Sequence, residues 1–133
     1  MKANELNILA LAYLGDSIYE IYVRKFLIEK GIVKVKELQA EAIKYVSAKG
    51  QAYYLKEWME KNLLTEEELA IVSRARNHKG SRHPKNTDIL TYKHATALEA
   101  LIGFWYLEKN FERLDKMIIL ILEEQVCTYM EKM

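Results

Sequence analysis

From Met1 to His83 the chain runs without a proline, and Pro84 is the only proline in it. Proline removes a backbone donor and breaks a helix interior, so its near-absence leaves long helices free to form wherever the apolar pattern favours them. The five glycines are scattered and add few further breaks. With 133 residues, half of them apolar, the chain suits one domain around one core, spanning residues 1–133. No stretch shows the sustained period-two alternation of a strand, so the expected fold class is all-α.

Five helical stretches are expected. The first covers about residues 4–30 and is stopped by Gly31. The second covers about residues 36–62, with Leu38, Ala42, Tyr45, Val46 and Tyr53 on one stripe and Gly50 as its candidate break. The third opens on Thr65, Glu66, Glu67 and Glu68, a capping-box pattern with acids at the helix N-terminus, and runs to about Asn77. The segment NHKGSRHPKNT reads as a loop. The fourth helix covers about residues 91–108. The fifth begins near Asn110, with Leu114, Met117, Ile118, Ile121 and Leu122 at helical spacing.

Two of these helices contain a carboxylate where none is expected. Nothing from Leu6 to Gly15 carries a charge, and then Asp16 appears. It shares helical spacing with Leu9, Tyr19 and Val23, which places it on the apolar stripe. In ATALEALIGFWYL, residues 95–107, Glu99 is the single charge, with Tyr92, Ala95, Ile102 and Tyr106 on its stripe. A buried carboxylate must be paired, protonated or bound to a metal. One alone is most simply an ion pair or a cap for another helix. Two, on separate helices with no Lys or Arg nearby in sequence, point to a shared hard-oxygen site suited to Mg²⁺. Such a site serves phosphodiester hydrolysis.

The charge pattern points the same way. Residues 69–87 hold Arg74, Arg76, Lys79, Arg82 and Lys85, together with His78 and His83, and no acid. Overall the chain has 20 Lys and Arg against 19 Asp and Glu, so the remainder is net negative. A basic run is often only a solvated segment. Here its concentration makes these seven residues the candidate phosphate contacts for a polyanion. The three histidines lack metal-ligand spacing, and the single cysteine, Cys127, excludes an internal disulfide or a Cys-based zinc site. The N-terminus lacks the layout of a signal peptide and no apolar run approaches membrane-spanning length, so a cytoplasmic location and no membrane partner are expected.

At these residues the sequence resembles a known family. AYLGDSIYE, residues 12–20, is similar to the ribonuclease III signature, a Leu-Gly-Asp-Ser run on a helix. LEALIGFWYLEKN, residues 98–110, resembles its second motif, Glu-Ala-Leu-Ile-Gly followed by an aromatic-Leu pair. The general family has a Glu four residues before the signature Asp, where Ala12 stands, and an Asp three residues before the second Glu, where Thr96 stands. A double-stranded-RNA-binding domain is also missing from the expected layout. With SRARNHKGSRHPKNTD ahead of the second motif, these departures match the Mini-ribonuclease III branch.

The resemblance implies the all-α ribonuclease III endonuclease bundle, acting as a homodimer. It implies Mg²⁺-dependent cleavage of double-stranded RNA to 5′-phosphate and 3′-hydroxyl ends, in maturation of 23S ribosomal RNA precursors during large-subunit assembly, with help from a ribosomal protein. Asp16 and Glu99 carry over as the catalytic, metal-binding pair. The missing carboxylates leave one or two ions per site open. For the dimer contact, the first helix offers Tyr13, Ile18, Tyr22 and Phe26. The competing reading is a non-catalytic helical RNA-binding assembly factor, which explains the basic run but not the two carboxylates.

Overall fold

The structure, a computed structural model, describes residues 2–79 and 88–131, the side chains of 124–131 excepted. A short 3-10 turn, Ala3–Glu5, is followed by six helices: α1 (Ile8–Glu29), α2 (Val35–Val46), α3 (Ala48–Glu60), α4 (Glu66–Arg76), α5 (Ile89–Leu107) and α6 (Phe111–Glu131). The described residues contain no strand, as expected from the missing period-two pattern.

Helix α1 starts at a local cap. The Asn7 side chain accepts hydrogen bonds from the Leu9 and Ala10 amides, at 2.8 and 3.4 Å. The helix therefore begins at Ile8 and not near Asn4. Gly31, at φ 95°, ends the helix in the left-handed region that glycine adopts without strain.

The second expected helix is two. The break lies at Ser47, three residues before Gly50. Ser47 has an extended backbone, with ψ 154°, and its hydroxyl accepts from the Gly50 amide at 3.1 Å to cap α3. Gly50 is still needed at the corner: a Cβ there would stand 2.4 Å from the Lys44 carbonyl oxygen. The cap decides where the helix breaks, and the glycine lets the two helices meet closely.

The capping box at the start of α4 forms as expected. The Thr65 hydroxyl accepts from the Glu68 amide at 3.2 Å, and the Glu68 carboxylate accepts from the Thr65 amide at 2.9 Å. Glu68 also does more. It is buried, and it accepts from the Trp105 indole at 2.8 Å and from Arg113 at 2.7 and 3.0 Å. Burial pushes its carboxyl up, but Arg113, the Thr65 amide and Trp105 together hold it below the usual carboxylate range. Arg113 also donates to the Leu63 carbonyl at 2.6 Å. An orphaned buried charge costs about 3–5 kcal/mol, so this network fixes α4, α5 and α6 to one another.

Helix α5 is the centre of the fold and packs on α1, α3, α4 and α6. It is buried on nearly every side, from His94 to Trp105, which is why its sequence is so uniformly apolar. Thr91 and Asp88 hold its start: the Asp88 carboxylate accepts from the Thr91 amide and hydroxyl at 2.9 and 2.7 Å.

Candidate active site

The site begins with two glycines. Where α1 crosses α5, a Cβ added to Gly15 would lie 1.7 Å from the Glu99 carbonyl oxygen and 2.9 Å from the Gly103 nitrogen. A Cβ on Gly103 would lie 2.1 Å from the Leu11 carbonyl oxygen. Only residues without a side chain allow backbones to approach so closely. Gly15 thus touches the backbone of Glu99, and the next residue is Asp16. The two carboxyls meet here and share a hydrogen bond.

They are not equally deep. Asp16 is exposed, which corrects its expected place on the buried stripe. The buried face of α1 is Ile8, Leu11, Ala12, Gly15, Ile18, Tyr19, Val23 and Leu27. Asp16 stands one residue past it, at the rim of the helix crossing. Glu99 is half-buried behind it. Burial raises the Glu99 carboxyl, its hydrogen bond to Asp16 and the charge of Asp16 add to this, and a hydrogen bond from Gln51 offsets part; the result is a pKa of about 8. Glu99 therefore keeps its proton near neutral pH. Beside it, the Tyr19 hydroxyl is pushed above its usual range by burial, with Tyr54, Tyr45 and Glu99 adding to this. It donates to the Tyr45 carbonyl at 2.9 Å.

A divalent cation suits this pair. Two hard oxygen donors are already in contact, no cationic group is among those acting on Glu99, and a cation would displace the Glu99 proton. No cluster of three or more His, Cys, Asp or Glu side chains forms among the described residues, so two carboxylates are what the described part of the protein offers. Ala12 is buried in the core, and the buried Thr96 donates its hydroxyl to the Tyr92 carbonyl at 3.0 Å.

The raised Glu99 pKa has a consequence for stability. Between the ordinary carboxylate value near 4.5 and about 8, the folded protein holds a proton that the unfolded chain has released. Stability must then fall as pH rises through that window. The melting temperature of metal-free protein is expected to drop between pH 5 and pH 8, and Mg²⁺ at pH 8 is expected to restore it. A metal-free melting temperature that rises across the window would contradict the placement of Glu99.

The basic residues divide. Arg74 donates to the Asn4 and Leu6 carbonyls, at 2.6 and 2.7 Å, and so ties α4 to the chain start. Arg76 and Lys79 are exposed and His78 is half-buried, at the C-terminal end of α4. Arg82, His83 and Lys85 lie outside the described residues. Of the four aromatic and aliphatic residues expected to form a dimer contact, only Tyr13 is fully exposed. Ile18 is in the core, Phe26 packs edge-on against Tyr45 with centroids 6.2 Å apart, and Tyr22 donates to Asp115.

Three residues of the site region do not stand out in the sequence. Gly15 and Gly103 lie within the two motifs, and their signal is a glycine in the middle of an apolar helix. Gln51 has no signal, since one polar residue after a glycine is unremarkable.

The chain is similar to known proteins. The family model described as Ribonuclease III domain matches residues 9–110. A "Mini-ribonuclease 3" of Staphylococcus aureus is 46% identical over 123 residues, covering 90% of this chain and 92% of that protein. One of Streptococcus pneumoniae is 42% identical, covering 89% and 92%, and one of Brevibacillus brevis is 49% identical, covering 86% and 84%. A crystal structure of a protein from Fusobacterium nucleatum superposes with a TM-score of 0.81 at 36% identity, covering 91% of this chain and 95% of that one. The two motifs meet at one helix crossing, and these relatives match over most of their own length: the chain belongs to the ribonuclease III family, in its Mini-ribonuclease 3 branch.

Proposed function

We propose that the chain is a Mg²⁺-dependent endoribonuclease that cleaves double-stranded RNA. The observation that carries this reading is the Asp16–Glu99 carboxyl pair at the α1–α5 crossing, on a chain whose positive charge is concentrated in residues 69–87. Asp16 and Glu99 would hold the ion. Bound there, Mg²⁺ supplies charge to the scissile phosphate, an activated water and stabilisation of the leaving oxygen. Asp16, exposed at the rim, is the carboxylate a phosphodiester meets first. Glu99, set deeper, is held by the α5 backbone and gives up its proton when the pair takes its fully charged form. The products would carry 5′-phosphate and 3′-hydroxyl ends.

The substrate role follows the branch: trimming of 23S ribosomal RNA precursor ends in the cytoplasm, by a homodimer assisted by a large-subunit ribosomal protein. An A-form duplex hides its base edges in a deep, narrow major groove, so recognition falls on phosphates and 2′-hydroxyls. Arg76, His78, Lys79, Arg82, His83 and Lys85 are the proposed contacts, and Arg74 supports them by fixing α4. Among the described residues no helix is long and apolar enough to cross a membrane.

The direct test is incubation of end-labelled duplex RNA with and without Mg²⁺. Metal-dependent cuts in the duplex are expected; binding without cleavage would return the chain to the non-catalytic reading. Replacing Arg76, Lys79 and Arg82 together by Ala is expected to weaken binding and flatten its salt dependence, by roughly one unit of log–log slope for each phosphate left without its cation. An unchanged slope would remove this segment from the RNA interface.

A further inference from the structure

Arg74 stands in the last turn of α4, where the basic segment begins. It is exposed, yet its guanidinium is already engaged. One terminal nitrogen donates to the Asn4 carbonyl at 2.6 Å and the other to the Leu6 carbonyl at 2.7 Å. Those carbonyls belong to the 3-10 turn and to the residue that closes it. The turn's own bonds run to other acceptors: the Glu5 amide donates to Lys2 and the Leu6 amide to Ala3, at 3.0 and 3.2 Å. Arg74 therefore takes up two carbonyls that those bonds leave open.

What lies on either side of this contact gives it meaning. Ala3 is buried and Leu6 packs against the core, so the lead-in is seated on the domain. The next residue, Asn7, caps α1, and Asp16 stands on that same helix, about 14 Å further along its axis. Whatever fixes the start of α1 fixes the line on which Asp16 lies. On the other side, Arg76 follows Arg74 on α4, with His78 and Lys79 just beyond, and Arg76 and Lys79 are exposed. Helices α1 and α4 both pack on α5; Arg74 adds a direct tie between the basic segment and the start of the helix that carries Asp16. A cation serving only the helix dipole needs no such geometry and would stay free for phosphate. The planar fork of a guanidinium suits two carbonyls at once, which a lysine ammonium does not reproduce.

We propose that Arg74 is a positioning residue for duplex cleavage and not a phosphate contact: by bonding the end of α4 to the lead-in of α1, it holds the phosphate-binding cations at a set distance from Asp16. It touches neither substrate nor reacting atoms. The cations beyond it grip the duplex, the carboxyl pair cuts it, and the distance between the two selects which phosphate reaches the carboxyls. A misplacement of about 1 Å can cost roughly 100-fold in rate. The role deepens the nuclease reading above and rests on it for its catalytic meaning.

The test uses the full-length protein with Arg74→Ala, Arg74→Lys and, for comparison, Arg76→Ala. Each is compared with wild type in melting temperature, in the log–log salt slope of duplex binding, in single-turnover cleavage rate at saturating protein and Mg²⁺, and in the map of cuts along an end-labelled duplex. Arg76→Ala is expected to lower the salt slope by about one unit. Arg74→Ala is expected to leave the slope unchanged, to slow cleavage of bound RNA by about 10–100-fold, and to spread the cuts over neighbouring phosphates. Arg74→Lys keeps the charge and should show the same slowed, spread cleavage. A slope lowered by about one unit in Arg74→Ala would make Arg74 a phosphate contact. A normal rate and cut map in both Arg74 variants, or loss of the fold in both, would make it structural. Either result overturns the proposal. If wild-type protein does not cleave duplex RNA at all, the nuclease reading falls and takes the positioning role with it, a result distinct from both.

Discussion

Gly15→Ala is expected to lose the folded state or most of its stability. In an ordinary helix this change is favourable by up to about 1 kcal/mol, because alanine is the better helix former. Here the new methyl would fall 1.7 Å from the Glu99 carbonyl oxygen, and that atom belongs to the backbone of the most buried helix. No rotamer change relieves it. Either α1 and α5 move apart or the core opens. Overpacking of this kind costs about 3 kcal/mol or more, enough to lower the melting temperature by at least roughly 10 °C in a domain this size. Gly103→Ala meets the Leu11 carbonyl at 2.1 Å and should behave alike. Gly31 supplies the control: nothing lies within 4 Å of a Cβ there, so Gly31→Ala carries only the strain of its φ of 95°, about 1–3 kcal/mol. Thermal denaturation of the three variants checks the order. A Gly15→Ala protein as stable as wild type would mean that the helices do not cross at this distance.

Asp16→Asn is expected to reduce duplex cleavage by about 10⁴-fold, near 5.5 kcal/mol of transition-state stabilisation, with folding and RNA binding retained. The change is isosteric and the side chain is exposed, so the core does not register it. What disappears is one of the two carboxylates proposed to hold the ion. Glu99→Gln should cost a similar factor in rate. Its effect on stability should have the opposite sign to an ordinary loss, because it replaces a half-buried acid with a neutral amide. The double variant should be little worse than either single, since residues acting as one unit are not additive. Single-turnover cleavage at saturating Mg²⁺, beside filter binding of the same RNA, separates the two effects. Normal cleavage by Asp16→Asn would move the active site elsewhere.

Much of this was legible in the sequence. The helices follow from proline scarcity and from apolar spacing, and the Thr65 cap lies where its four-residue pattern puts it. Asp16 and Glu99 stand out because an apolar helix should not carry a carboxylate. Periodicity alone misplaced Asp16, since the apolar stripe from Leu9 to Val23 is broad enough to take in a residue about 100° past Gly15. The Ser47 break was hidden because a serine cap and a helix-interior serine look alike until the backbone is seen. Glu68 read only as part of a capping box with acids at a helix N-terminus; its burial depends on Arg113, 45 residues on. Gln51 could not be found from its surroundings in sequence, because α3 comes beside the helix of Glu99 only through the α2–α3 corner and the packing of α3 on α5.

The glycine crossing also limits how the enzyme can move. Two helices separated by side chains can slide past one another by small rotamer changes, the usual origin of shear in a closing active site. Helices α1 and α5 have no such lubricating layer at Gly15 and Gly103, where backbone meets backbone. The backbone segments that carry Asp16 and Glu99 are therefore held to one another, and little sliding between them is expected. If the proposed site is right, adjustment to a substrate falls to the parts around this crossing, and the crossing serves as the fixed ruler against which a scissile phosphate is measured.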